Sequence, residues 1–240
     1  MSQPALLTTP AMATVFAPAG LVERLLVFEG ALARAEAEAG VIPPQAADAI
    51  AACCRAGLFD VEALYREAAV AGTLAIPLVR ALAARVGGEA AAFVHWGATS
   101  QDALDTALAM QLRDGLDLLV ADLLGIAERC TTLAQEHRRT LMPGRTLLQH
   151  ALPITFGLKA ARWLALATRQ VRALLHQRRE GLAAQLGGAA GTLAALGAAG
   201  LRVAELLANA LGLPPPDLPW HAERDRVAGV AAAVAIAAGS

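Results

Sequence analysis

The chain is poor in charge, in aromatic residues and in cysteine, and each shortage closes off a class of protein. Charged residues make up 17% of its 240 positions, against roughly one quarter in an ordinary soluble domain. The formal net charge is −1, so no global basic field draws nucleic acid to the surface. The arginines Arg169, Arg172, Arg178 and Arg179 follow one helical pattern without interleaved aromatics and read as a solvated face. Aromatic residues account for only 4%, and lysine occurs once, as Lys159. The three cysteines, Cys53, Cys54 and Cys130, form no Cys-x-x-Cys pair and have no histidine at ligand spacing. That pattern implies reduced thiols in a cytoplasmic protein and no metal centre.

Signals of export are missing too. Residues 1–18 lack a positively charged start and a continuous apolar stretch, so no signal peptide is expected. An unstructured start is expected for about the first dozen residues. The longest uncharged run, Gly181 to Leu201, has the length of a membrane span, ~20 residues. It contains Gly181, Gly187, Gly188, Gly191, Gly197 and Gly200, and its remainder is mostly alanine. Such a run lacks the Leu, Ile, Val and Phe content that drives insertion, and no membrane partner is expected. No stretch alternates apolar and polar residues with β-branched enrichment, so no sheet is expected.

What the chain does have is apolar helix. Hydrophobic residues reach 56%, and with so little charge the surplus is expected to be buried against other subunits. Helical patterns run over about 21–38, 45–56, 61–69 and 76–86, the first closed by Gly40 and Pro43-Pro44. From Asp102 to about Arg139 there is no proline. Leu104, Leu108, Leu112, Leu116, Leu119, Leu123, Ile126, Cys130 and Leu133 recur there close to the 3.5-residue period of packed helices. A second long helix is expected over about 153–184, and shorter ones over about 198–211 and 224–238. The short link at 141–152 makes the two long helices antiparallel neighbours. The expectation is an all-α protein: a small helical domain over residues 1–97, then a long-helix bundle over 98–240.

Four stretches carry chemistry. His95-Trp96-Gly97-Ala98-Thr99-Ser100-Gln101-Asp102 opens the first long helix. Hydroxyls beside free N–H groups at a positive dipole end make a carboxylate site. Thr99-x-x-Asp102 is equally a capping box, but a cap needs neither His95 nor Trp96. Gly144 to Pro153 places Arg145, Gln149 and His150 in one polar connection, and histidine transfers protons near neutral pH. The glycine-rich break Gln185 to Leu193 either cradles an anion through its N–H groups or lets helices cross closely. No Gly-Lys-Ser/Thr follows it, so it is not a phosphate loop. Trp220 to Arg226 opens the last helix.

Taken together, residues 95–105, 144–163 and 185–197, with Ala71 to Val79, resemble the bacterial 3-carboxy-cis,cis-muconate cycloisomerases of the fumarase/aspartase superfamily. The resemblance runs from about residue 15 to the end. The Thr99-Ser100 motif marks the superfamily, and Leu-Leu-Gln-His-Ala-Leu-Pro at 147–153 points to the cycloisomerase. Adenylosuccinate lyases look similar, but carry a second histidine in place of Leu147 and an acid in place of Leu152.

The resemblance implies the fumarase/aspartase long-helix fold, a small tricarboxylate substrate and lactone formation through an aci-carboxylate, with no cofactor and no metal. It implies a homotetramer whose active sites are each assembled from three subunits. Thr99 and Ser100 match carboxylate-binding hydroxyls, Gln149 and His150 a substrate-contacting pair with His150 as catalytic acid, and His95 an active-site histidine. Arg145 and Arg224 or Arg226 are further carboxylate partners. The family's base is a serine on a loop containing Gly-Ser-Ser, and this sequence holds no such loop. The chain is therefore expected to be truncated and to turn over little by itself. A fumarate-releasing lyase and an inactive helical assembly fragment are the alternatives.

Overall fold

A computed structural model describes residues 8–240. The unstructured start expected for the first dozen residues lies mostly outside that range. From Pro10 the chain is already helical, in α1 (Pro10–Val15), whose N-terminus is capped by the Thr9 side chain accepting from the Met12 N–H. The helices α2 (Pro18–Glu38), α3 (Pro44–Cys53), α4 (Val61–Ala71) and α5 (Ala75–Val86) follow, within a few residues of the expected spans. Gly40 takes φ 73° just after α2, and Pro44 occupies the first turn of α3. The 37-residue α6 (Ser100–Glu136) comes next, then α7 (Phe156–His176), α8 (Gly200–Leu211) and α9 (Asp225–Gly239). The all-α class holds.

The chain divides into two compact units. The first comprises residues up to Gly115 together with Leu182–Arg226, and the second Leu116–Gly181 with Val227–Ser240. Both are discontinuous in sequence, unlike the single cut at residue 97 expected above, because α6 runs from one into the other.

In the first unit the core is organised on α2. Val22, Leu25, Leu26, Phe28 and Leu32 are buried there, and α2 packs against α3 and α8. Burying such side chains yields about 1.5–3 kcal/mol each. The same stripe carries two carboxylates, Glu29 and Glu36, which are as deeply buried as its leucines. On α6 the buried face is Asp102, Ala103, Asp105, Thr106, Ala107, Ala109 and Met110. The leucine seam at Leu104, Leu108 and Leu112 is only half-buried. The core of this unit thus uses a different face of α6 from the one the periodicity singled out.

The second unit departs clearly from expectation. Residues 141–155 form an antiparallel hairpin, β1 (Leu141–Thr146) and β2 (Gln149–Thr155), with Arg145 opposite His150 and Thr146 opposite Gln149. The pairing shifts register between Pro143 and Arg145. The expectation of no sheet is corrected here. Period-2 alternation is absent because most of β2 faces solvent, so no apolar side advertises it. Its turn is Leu147-Leu148, with φ of 48° and 62°, the left-handed region that β-hairpin turns require and that leucine disfavours. The double substitution Leu147→Asn/Leu148→Gly is therefore expected to stabilise the second unit by about 1–2 kcal/mol, read as an increased thermal midpoint. The hairpin also delays the second long helix. That helix starts at Phe156, where Thr155 caps it by accepting from the Leu158 N–H, and ends in a π-turn at Gln177–Gly181.

Residues 182–188, expected as helix up to about 184, are irregular backbone and wholly buried. One 18-residue window among the described residues, Ala194–Leu211, has the length and hydropathy of a membrane span. It is not one helix: Gly197 has φ 53° and ψ −136° and breaks it, leaving α8 with 12 residues. At 1.5 Å per residue α8 reaches ~18 Å, short of the ~30 Å a bilayer core demands.

Candidate active site

The first cluster is built at the start of α6 around Asp102, a carboxylate with no solvent exposure. Its Oδ2 accepts from the N–H groups of Thr99 (2.9 Å) and Gly188 (2.9 Å). Its Oδ1 accepts from the Gly187 N–H (3.0 Å) and from Gln185 Nε2 (2.8 Å). One side chain thus caps α6 and ties down the buried 182–188 segment. Thr106, one turn further along, accepts from the Gln185 N–H (2.8 Å) and donates to the Gln185 carbonyl (3.0 Å). Trp220 Nε1 donates to the Ala184 carbonyl at 3.0 Å, and the Trp220 N–H donates to Gln185 Oε1 at 2.6 Å. Buried irregular backbone must find partners for its polar groups, and here side chains of α6 and Trp220 supply them.

These bonds decide between the readings of the glycine-rich break. The Gly187 and Gly188 N–H groups are taken by Asp102, so they do not cradle a ligand anion. The close-approach reading describes this segment better: Gly188 has φ 67°, and a Cβ there would lie 2.9 Å from the Gly97 carbonyl oxygen.

They also bear on the hydroxyls at the helix start. At the start of α6 the Asp102 side chain accepts from the Thr99 N–H, one half of a capping box. Among the described residues, the hydroxyls of Thr99 and Ser100 make no hydrogen bond, and both residues are half-buried. Two hydroxyls beside the N-terminus of a 37-residue helix therefore remain available to an anion.

His95 stands just ahead of them, in a left-handed conformation with φ 59°. Its Nδ1 lies 2.6 Å from Oε1 of the buried Glu29, which leaves Nε2 directed elsewhere. Burial acts against the charged imidazolium. The hydrogen bond and charge of Glu29, with the charge of Asp102, outweigh it and raise the pKa above the usual histidine value. Glu29 fixes the ring and makes it a better base.

Arg224 is placed differently from expectation. Its guanidinium grips the buried Asp105 through two bonds of 2.9 and 2.8 Å, and also donates to the carbonyls of Trp220, His221 and Glu223. It stacks on the Trp220 ring at 5.3 Å. Asp105 neutralises the charge expected to meet a substrate carboxylate, so Arg224 here fastens the turn before α9 to α6.

The remaining expected residues, Arg145, Gln149 and His150, belong to the second unit. All three lie exposed on the hairpin. Arg145 and His150 are cross-strand partners, so their side chains leave the same face with Cβ atoms ~5 Å apart. Among the described residues no group of three or more His, Cys, Asp or Glu is placed to hold a metal ion.

Sequence reasoning missed Glu29, Asp105, Thr106 and Gln185 as structural partners. The signal was present in part. Glu29 and Glu36 fall on the apolar stripe of α2, and Asp102, Asp105 and Thr106 share one face of α6 at steps of three and four.

The chain spans about half the length of the curated relatives it matches. A 3-carboxy-cis,cis-muconate cycloisomerase of Bradyrhizobium diazoefficiens is 52% identical over 98% of this chain and 53% of the relative. Its counterpart in Pseudomonas aeruginosa is 48% identical over 95% of this chain and 50% of the relative. The crystal structure of 3-carboxy-cis,cis-muconate lactonizing enzyme from Pseudomonas putida superposes with a TM-score of 0.93 at 47% identity, covering 97% of this chain and 53% of that one. The profile of the family described as Lyase matches residues 8–240, all of the described structure, and the chain belongs to that family.

Proposed function

We propose that this chain is part of a cycloisomerase that interconverts 3-carboxy-cis,cis-muconate and a carboxymuconolactone in aromatic-acid breakdown. The observation that carries the reading is the pair of hydroxyls, Thr99 and Ser100, which among the described residues make no hydrogen bond at the start of α6. Identities of 47–52% to proteins named for this activity support it.

The reaction adds a carboxylate of the substrate to its own double bond, and the reverse direction eliminates it. Negative charge grows on a neighbouring carboxylate in the transition state. Preorganised donors aimed at that carboxylate lower the barrier without reorganising. Thr99 and Ser100, with the dipole of α6 behind them, fill that role. His150, supported by Gln149 on the same strand, handles the proton, and Arg145 across the ladder holds a second carboxylate. His95, held by Glu29, contacts the substrate next to the hydroxyls. Arg224 orders the first unit through Asp105. No cofactor enters this chemistry.

The half-buried leucine seam of α6 and the exposed Leu147, Leu148 and Leu152 of the hairpin fit burial in a homotetramer. In that assembly several subunits share each site, in a cytoplasmic enzyme.

The test is to co-express this chain with the C-terminal half of the Bradyrhizobium relative and follow loss of the muconate diene absorbance. Lactone formation is expected. His150→Gln is expected to lower kcat about 10²–10⁴-fold, the range for removing a general acid, with little change in KM. Fumarate release from succinyl amines without cyclisation would replace this reading by the lyase one.

A further inference from the structure

Of the four stretches that carry chemistry, Trp220 to Arg226 holds a histidine with no part in the reading above. His221 lies in the first unit and is half-buried. Its Nδ1 is 3.3 Å from Nε2 of Gln185, a side chain with no solvent exposure. The Gln185 amide is held in one orientation: its Oε1 accepts from the Trp220 N–H at 2.6 Å, so Nε2 is the NH2 group. One hydrogen of that group goes to Asp102 Oδ1 at 2.8 Å, and the other is left for His221. A ring nitrogen that faces an amide N–H is an acceptor, and the bond at one nitrogen sets the state of the other. His221 therefore carries its hydrogen on Nε2. Among the described residues that N–H has no hydrogen-bond partner.

The surroundings hold this donor in place. Arg224, fixed by the buried Asp105, donates to the His221 carbonyl at 3.0 Å. Gly191 lies against the ring with φ 77°, and a Cβ there would stand 3.4 Å from His221 Cε1. Gly187 does the same for the amide, since its Cβ would meet Gln185 Nε2 at 3.2 Å. The glycine-rich break thus gives up side chains where the histidine and its glutamine need room. Gln185 Nε2 and the Thr99 N–H end on the two oxygens of one carboxylate, Asp102. His221 accordingly stands at the same end of α6 as the Thr99 and Ser100 hydroxyls. Locking the turn needs only the acceptor at Nδ1, and the second nitrogen is a preorganised donor beside an anion site.

We propose that His221 is a further substrate-contacting residue of the Thr99–Ser100 site, giving its Nε2–H to the carboxylate that the two hydroxyls hold. The identity of that substrate rests on the proposed function. A locked, oriented N–H stabilises growing negative charge without a proton changing hands. His221 is thus an electrophilic partner, and the proton transfer stays with His150.

The experiment has two readouts. In this chain alone, heteronuclear NMR of the imidazole nitrogens, with His221 assigned by its loss in His221→Asn, reads tautomer and contact together. Hydrogen on Nε2 is expected, and benzene-1,3,5-tricarboxylate is expected to shift the Nε2 signal while Nδ1 barely moves. The second readout uses the enzyme reconstituted with the C-terminal half of the Bradyrhizobium relative. There His221→Asn keeps an acceptor for Gln185 but drops the outward N–H. It is expected to lower kcat/KM about 10–10²-fold, the cost of a hydrogen bond to a charged group, with unchanged circular dichroism. His221→Gln, whose amide N–H reaches further out, is expected to recover part of that loss. Hydrogen on Nδ1, an Nε2 signal indifferent to the tricarboxylate, or unchanged kcat/KM in His221→Asn would each overturn the assignment. Absence of lactone formation by the unaltered reconstituted enzyme would count against the proposed function instead, with the NMR readout still deciding the role of His221.

Discussion

Replacing Asp102 by alanine is expected to destabilise the first unit by about 3–5 kcal/mol, with four donors each losing an acceptor at roughly 1–3 kcal/mol before relaxation. Three of the four are backbone N–H groups of Thr99, Gly187 and Gly188, and the fourth is Gln185 Nε2. The donors of Gln185, Gly187 and Gly188 do not reach bulk solvent easily, since 185–188 are buried throughout. Asp102→Asn is nearly isosteric but turns one acceptor oxygen into a donor that faces donors, so it is expected to lose most of the same stability. Urea unfolding followed by tryptophan fluorescence reads this out, because Trp220 is bonded to the same segment. A midpoint within error of the parent chain would show that Asp102 does not hold residues 185–188 to α6.

The opposite sign is expected at Glu36. This side chain has no solvent exposure, and neither carboxylate oxygen has a hydrogen-bond partner. Burial, reinforced by the nearby charge of Glu29, raises its pKa to about 9. The folded state therefore holds the proton while the unfolded chain, with an ordinary carboxyl near 4.5, has released it. The folded state binds more protons across that window, so the Glu36 contribution to stability is greatest below pH ~4.5 and declines as pH rises toward ~9. At ~1.36 kcal/mol per pKa unit the full shift corresponds to about 6 kcal/mol, an upper bound that relaxation reduces. Glu36→Gln keeps the shape and removes the titration. At pH 8 it is expected to be more stable than the parent by several kcal/mol, with the gain vanishing near pH 4.5. A gain independent of pH between 5 and 8 would mean that Glu36 is not the group responsible.

Helix content was legible because it depends on local pattern. The breaks at Gly40 and Pro43-Pro44, the proline-free run after Asp102 and the period of its leucines locate α2 and α6 within a few residues. The hairpin at 141–155 escaped because an exposed strand pair needs no apolar alternation, and its turn uses Leu147-Leu148 where an Asn-Gly pair would have announced it. The role of the 185–193 break was open for a similar reason. Glycine permits both an anion cradle and a close approach, and only the position of Asp102 chooses between them.

The candidate site shows the same division. Thr99 and Ser100 stood out by type and position, yet sequence left capping and ligand binding as rivals for them. In the structure Asp102 accepts from the Thr99 N–H, while among the described residues neither hydroxyl makes a hydrogen bond. For Arg224 it does the reverse: its charge, free on paper, is neutralised by Asp105.

By itself, then, the sequence determined the helical class, the ends of the main helices and the residue types able to bind a carboxylate, all properties of near neighbours along the chain. Tertiary structure alone decided which of those groups stay available and which buried carboxylate is paired. Glu29 meets His95 from 66 positions away, and Glu36, one heptad along the same stripe, meets nothing. The two are alike in sequence, and only one is paired because a partner must be brought in through space.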